Sequence, residues 1–190
     1  MSLILTQPPA AEPLALADLK AFLKVEGSEE DGLIQSVAAA ARAHLEALTG
    51  RAFVTQGWRI CRDAWPPAGR MALPIGPIAS LDAVTVETAA GTVSVPLARF
   101  RLDGAALPPR LGWQPGSLPV PGVPLAGIAI DVTAGFGAPA AVPPALVQAV
   151  RLLAAYWFDN RSLVTVGHEV AVMPRMVADL VAPFVARRLA

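Results

Sequence analysis

Apolar positions recur every three or four residues through the first quarter of the chain. Leu16, Leu19, Ala21, Phe22 and Leu23 predict a short helix over 14–24, which Gly27 and Ser28 break. Leu33, Ile34, Val37, Ala41, Leu45 and Leu48 then mark one face of a second helix over 29–49. Ser28 suits its N-cap, and Glu29, Glu30 and Asp31 place negative charge where the helix dipole favours it. Gly50 suits the residue just past its end. From Phe53 the period falls to two. Strands are predicted over 53–65, 71–75, 83–87, 92–97, 99–102 and 127–134, punctuated by Pro66-Pro67, Gly76-Pro77, Ala90-Gly91 and Gly104. Val84, Val86, Val93 and Val95 alternate around the turn at 89–91, as in a hairpin with one wet face.

The stretch over 143–161 reads as a helix apolar nearly all round. Pro143 and Pro144 suit its start, and Leu146, Ala149, Val150, Leu153, Tyr156, Trp157 and Phe158 leave it no polar face. Such a helix is buried in a core, a membrane or an interface. Residues 103–126 hold six prolines and read as a long loop, of the kind that is functional or ordered by a partner. After an irregular stretch over 162–173, a last helix is predicted over 176–189, with Pro174 at its start and Pro183 interrupting it. The expected fold class is α+β, mainly helical: a helical bundle with a small antiparallel β insertion over 53–134 and a C-terminal helix. The expected division is a domain over 1–161 followed by a C-terminal loop and helix over 162–190.

Composition sharpens this picture. In 190 residues, 54% are apolar and only 16% charged, against roughly 25% charged in an average soluble domain. Two readings fit: a compositional bias toward Ala and Pro, or a surface covered by neighbouring chains. Residues 1–50 carry seven acids against three basic residues, a net charge of −4; residues 51–190 carry eight acids against twelve arginines, a net charge of +4. Oppositely charged ends suit head-to-tail association. With no concentrated basic patch, a dedicated nucleic-acid binder is not expected. Cys61 is the single cysteine, so no internal disulfide forms, and it reads as a small core residue. No signal peptide or transmembrane helix is predicted, because the first residues lack a basic segment and Pro, Gly and Asp131 interrupt the apolar stretch before residue 150.

Catalytic chemistry is hard to find. His44 and His168 lie far apart, with no metal-ligand spacing around them. None of the serines sits in a GxSxG elbow. Gly135-Phe136-Gly137 reads as a turn rather than a phosphate loop. Asp159 with Arg161, and Glu46 with Arg51, read as local ion pairs. No enzyme activity and no cofactor are expected.

Several segments, in order, resemble the head–tail connector (adaptor) proteins of long-tailed bacteriophages and gene transfer agents. They are Leu19-Lys20-Ala21-Phe22-Leu23-Lys24-Val25; the acidic Glu29-Glu30-Asp31; Leu45-Glu46-Ala47-Leu48-Thr49-Gly50-Arg51; and Thr55-Gln56-Gly57-Trp58. Further on come Leu73-Pro74-Ile75-Gly76-Pro77-Ile78, Val132-Thr133-Ala134-Gly135-Phe136-Gly137, Val142-Pro143-Pro144-Ala145-Leu146 and Tyr156-Trp157-Phe158-Asp159-Asn160-Arg161. The resemblance covers 14–161 and carries over no catalytic residue.

It implies a virion or phage-like particle and a place at the head–tail junction. There, a ring of about twelve copies would sit between the portal protein and a stopper or tail-completion protein, with heterologous contacts between copies. DNA would pass through the ring without being read. Exposure arguments assign Leu146, Val150, Leu153 and Trp157 to the subunit interface, against the acidic helix over 29–48. They assign Met176, Leu180, Phe184, Arg187 and Arg188 to portal docking. The alternatives are another neck protein, a stopper or tail terminator, or a small intracellular ligand-binding domain or enzyme using a cleft near 135–137.

Overall fold

The structure is a computed structural model and describes residues 1–160 and 173–185. The chain forms two compact units that interleave along the sequence. One comprises Met1–Ala10 and Thr55–Phe136; the other comprises Ala11–Val54 and Gly137–Ala190. The expected boundary at 161/162 falls outside the described residues.

The first unit is built of β-strands, with one 3₁₀ turn at Leu97–Arg99. Its main sheet has five strands in the order β1-β2-β8-β4-β5, all antiparallel: β1 Ser2–Gln7, β2 Gln56–Arg62, β8 Ile128–Ala134, β4 Ile78–Thr88 and β5 Gly91–Ser94. The central strand β8 alternates cleanly. Ile128, Ile130, Val132 and Ala134 are buried; Ala129, Asp131 and Thr133 face the other way and are half-buried. Register carries this alternation sideways, since Ile130 lies opposite Ile60 on β2 and Val84 on β4. On the polar face, Arg59 grips Asp131 across β2 and β8 with two hydrogen bonds, of 2.7 and 2.9 Å. A second sheet has the order β3-β7-β6, formed by Arg70–Ala72, Arg110–Trp113 and Phe100–Asp103. Trp113 and Phe100 gather beside it with Trp65, at ring-centre separations of 5.1 to 6.4 Å. The proline-rich loop before β8 is seated on the β4–β5 hairpin by Gly122, whose N–H donates to the Glu87 carbonyl. A Cβ on Gly122 would lie 2.2 Å from the Ala89 nitrogen, so only glycine allows that approach.

The second unit is helical: α1 Leu16–Leu23, α2 Asp31–Thr49, α3 Pro144–Asp159 and α4 Arg175–Val181, the last followed by a 3₁₀ turn at Ala182–Phe184. Of the face predicted for α2, Ile34, Ala41 and Leu45 are buried, Val37 is half-buried, and Leu33 and Leu48 at its two ends are exposed. Ile34, Ala38, Ala41 and Leu45 pack toward α3, whose Leu146, Ala149, Val150, Leu153 and Ala154 are buried in turn. Gly50 ends α2 in the left-handed conformation (φ 66°), with its N–H on the Glu46 carbonyl.

The expectation of a mainly helical bundle with a small β insertion is overturned. Of the described residues, 34% are helix and 28% strand in two antiparallel sheets, an α+β fold in which the sheets are a full partner. Two strands account for much of the difference. β1 is short, precedes Pro8-Pro9, and becomes a strand only by pairing with residues fifty or more positions away. β7 lies inside the stretch read as loop, where the flanking prolines hide the four residues that pair with β3 and β6. The last helix ends at Val181 rather than running on, because Pro183 cannot donate to the helical ladder. The N-cap of α2 is Glu30, without a side-chain cap bond, and not Ser28.

Candidate functional site

The polar chemistry of the helical unit centres on the end of α2. Glu46 is 7% exposed. One of its oxygens accepts from the Phe53 backbone N–H at 2.6 Å, and the other from the Arg42 guanidinium one helical turn away. Arg42 Nε also donates to Glu12 at 2.7 Å. Burial alone would lower the Arg42 pKa, but bonding to Glu12 and the charges of Glu46 and Glu12 outweigh it and hold the guanidinium above its ordinary value. The network fixes the turn from α2 into Ala52, Phe53 and Val54, all of them buried. Just before that turn, Arg51 reaches the C-terminal segment. Its Nε donates to the Phe184 carbonyl at 2.8 Å, and its guanidinium lies 5.7 Å from the centre of the Phe184 ring. Burial lowers the Arg51 pKa. Sequence alone sets Glu46 against Arg51; the structure ties Glu46 to Arg42, an i,i+4 spacing that could have signalled the pair, and ties Arg51 to Phe184, 133 positions away.

The four residues expected at a subunit interface lie on α3. Leu146, Val150 and Leu153 have their side chains inside the core of their own unit, with at most 1% exposure. Trp157 is half-buried and meets His44 of α2 edge-on, with ring centres 5.6 Å apart. Of the four it alone keeps surface for a neighbour. The α2–α3 packing is internal to the chain. Among the residues expected to dock on the portal, Met176 is 59% exposed, while Leu180 and Phe184 are half-buried. Val177 and Val181 on the same helix are buried and hold α4 in place. Arg187 and Arg188 lie outside the described residues, as do His168 and Arg161.

Among the described residues no reactive centre emerges. Gly135 and Gly137 have φ of 131° and 124°, and Gly135 donates to the Pro77 carbonyl, as a turn leaving β8 would. An open groove of about 730 Å³ in the helical unit is lined by Leu14, Leu16, Leu19, Ile34, Ala38 and Pro139, with Glu12 at its rim already engaged by Arg42. Among the described residues no cluster of His, Cys, Asp and Glu could hold a metal ion, and no helix is long and apolar enough to cross a membrane. Cys61 is buried. What the molecule displays instead is apolar surface. Leu3, Ile4 and Leu5 on β1, Val120 and Leu125 in the proline-rich loop, Phe22, Leu33 and Leu48 on the helices, and Met176 on α4 are all exposed.

No protein-family model matches this sequence, and no curated protein matches it significantly. Solved structures do. A chain in the neck of an empty gene transfer agent particle, determined with C6 symmetry, is 30% identical, with a TM-score of 0.84 over 100% of this chain and 98% of that one. A chain in the virion of a native gene transfer agent particle matches with the same values. A chain in the neck of a native particle, determined with C12 symmetry, is again 30% identical with a TM-score of 0.80. Identity at this level, across the whole length and with the fold preserved, makes the chain a member of the family of these gene transfer agent neck proteins, a structural protein.

Proposed function

We propose that this chain is the adaptor of a head–tail neck, a ring subunit between the portal and the next neck component. The ring would extend the DNA channel and join tail to capsid in a phage or gene transfer agent particle. The observation that carries this reading is the end-to-end match to chains in gene transfer agent necks determined with C6 and with C12 symmetry. The chemistry agrees. A subunit of a cyclic ring needs two different sticky faces, and this chain exposes apolar side chains on several separate elements. DNA passes unread, and three arginines have their charge met by acids of the chain itself: Arg42 by Glu12 and Glu46, Arg59 by Asp131, and Arg110 by Asp103.

The portal contact is assigned to the C-terminal segment. Met176, Leu180 and Phe184 present its apolar side, Arg51 holds it to the helical unit, and Arg187 and Arg188 follow it in sequence. The lateral contact on α3 is assigned to the face around Trp157. Electron microscopy of particles from cells with this gene disrupted tests the role. DNA-filled heads without tails, beside free tails, are expected. Normal tailed particles refute a neck role. Tailless heads that still carry the next neck ring assign the chain to a stopper or tail terminator position instead. Deletion of residues 174–190 must abolish portal binding by the otherwise folded chain, or the docking assignment is wrong.

A further inference from the structure

We infer that the strand β1 is an intersubunit strand: in the ring, β1 of one copy pairs edge to edge with β5 of the next, joining the five-stranded sheets of neighbouring copies. The inference rests on the ring reading above and adds to it the surface through which the ring closes.

The two strands are the two open edges of one sheet, by the order β1-β2-β8-β4-β5. Every residue of both is exposed. An open edge invites pairing with another chain, and proteins blunt such edges with lysines, prolines, inward charges or a covering element. Neither edge carries any of these. Ser2-Leu3-Ile4-Leu5-Thr6-Gln7 and Gly91-Thr92-Val93-Ser94 contain no charged residue and no proline.

The side chains at the two edges are also matched. Leu3 lies opposite Ile60 and Leu5 opposite Trp58, so both share the face on which Ile130 and Val132 are buried. Val93 lies opposite Val86, which lies opposite Ile128, on the same face. Leu3, Leu5 and Val93 are 36%, 44% and 41% exposed, each cut off at the rim of an otherwise buried layer. Setting β1 beside β5 continues that layer across the junction and pairs both rows of backbone groups. The contact joins two different patches, so it is heterologous and propagates from copy to copy until the rotation closes. Pairing β1 with β1 would stop at a dimer, and the neck that holds the similar chain is cyclic, with C6 and C12 symmetry.

Disulfide trapping in assembled particles tests this. In a Cys61→Ala background, Ile4→Cys is combined with Thr92→Cys or with Ser94→Cys, all on the outer face. Oxidised particles run on a non-reducing gel should give a ladder of dimers, trimers and higher multiples from at least one double variant, and monomers from each single variant. Dimers from Ile4→Cys alone overturn the β1–β5 pairing, as does a crosslink to a different neck protein. No ladder from either double variant, in particles whose ring of this chain is visible by microscopy, refutes the strand pairing and leaves the ring reading intact. Absence of the chain from any ring refutes both.

A second measurement avoids cysteine chemistry. Ile4→Lys and Leu5→Lys should leave the melting temperature of the isolated chain unchanged and cut the yield of tailed particles at least tenfold. Normal yield from both variants would overturn the proposal.

Discussion

Replacing Arg51 by Met isolates what holds the C-terminal segment. The guanidinium makes a 2.8 Å hydrogen bond to the Phe184 carbonyl and lies over the Phe184 ring at 5.7 Å. A hydrogen bond from a charged donor contributes about 1.5–3 kcal/mol. A half-exposed cation–π contact adds about 0.5–1 kcal/mol. The same side chain makes both, so they overlap. Burial disfavours the Arg51 charge, as its lowered pKa records, and deleting a desolvated cation returns part of the loss. Methionine keeps the aliphatic stem in place. The net cost of opening the segment should therefore be about 1–2 kcal/mol, a factor of roughly 5 to 30 in the opening equilibrium. Native-state hydrogen exchange reads this directly. Amides of Val177, Ala178 and Val185, which donate to Pro174 and Ala182, should exchange faster by about that factor. Those of the α2–α3 core should hardly change. Arg51→Lys should fall between, because lysine keeps the charge and loses the planar fork. Unchanged exchange at 177–185 in Arg51→Met, with global stability also unchanged, would show that Arg51 does not anchor this segment.

Three further outcomes follow from other parts of the molecule. Glu46→Ala strands the buried Phe53 N–H and leaves Arg42 with Glu12 as its acid partner, and should lower unfolding stability by about 1–3 kcal/mol in urea titration, whereas Glu46→Gln, which still accepts from Phe53, should cost about half as much; equal losses would mean that the bond to Phe53 contributes nothing. Leu146→Ala, at 0% exposure, should cost about 2–5 kcal/mol by thermal melting, and a loss below about 1 kcal/mol would place Leu146 at a surface rather than in its own core. Asp131→Asn breaks a pair whose Arg59 side chain is 47% exposed, and should change stability by about 1 kcal/mol or less, with the difference shrinking in high salt.

What the sequence disclosed and what it hid divide along the range of the interactions. α2 was legible to within two residues because its stripe, from Ile34 through Leu45, and its Gly50 stop are local signals. The β4–β5 hairpin was legible for the same reason, since the alternating valines flank a tight turn. β1 was not, because nothing in Ser2–Gln7 marks it as a strand apart from its distant partner on β2. The all-round apolar α3 was read as shared between core and interface, yet its own chain encloses most of it: α2 takes one side and α4 another. A lone apolar helix cannot announce which of its neighbours will be covalently attached. The site chemistry follows the same rule: Arg42 and Glu46 carry a local signal one turn apart, although sequence alone sets Glu46 against Arg51, and Arg51–Phe184 is hidden across 133 positions.

The scarcity of charge gains its meaning from where the remaining apolar side chains stand. A monomer with a biased composition would scatter them singly, and scattered exposure needs no explanation. Here they sit in groups on separate elements: Leu3, Ile4 and Leu5 on one sheet edge with Val93 on the other, Val120 and Leu125 on a loop pinned by Trp65 and Asp63, and Met176 on a helix pinned by Arg51 through Phe184. Pinning matters, because a side chain already held in place loses little freedom when a partner covers it. A ring subunit at a junction must be held on both sides, above and below, and each direction calls for its own anchored patch. On the lateral and portal contacts proposed above, lysine at Ile4 should fail at ring closure and lysine at Met176 at attachment to the portal, while lysine at Val120 or Leu125 should leave both of those steps intact. If all three variants stalled at one step, with the chain folded in each case, the groups would be serving a single interface and the division of labour argued here would be wrong.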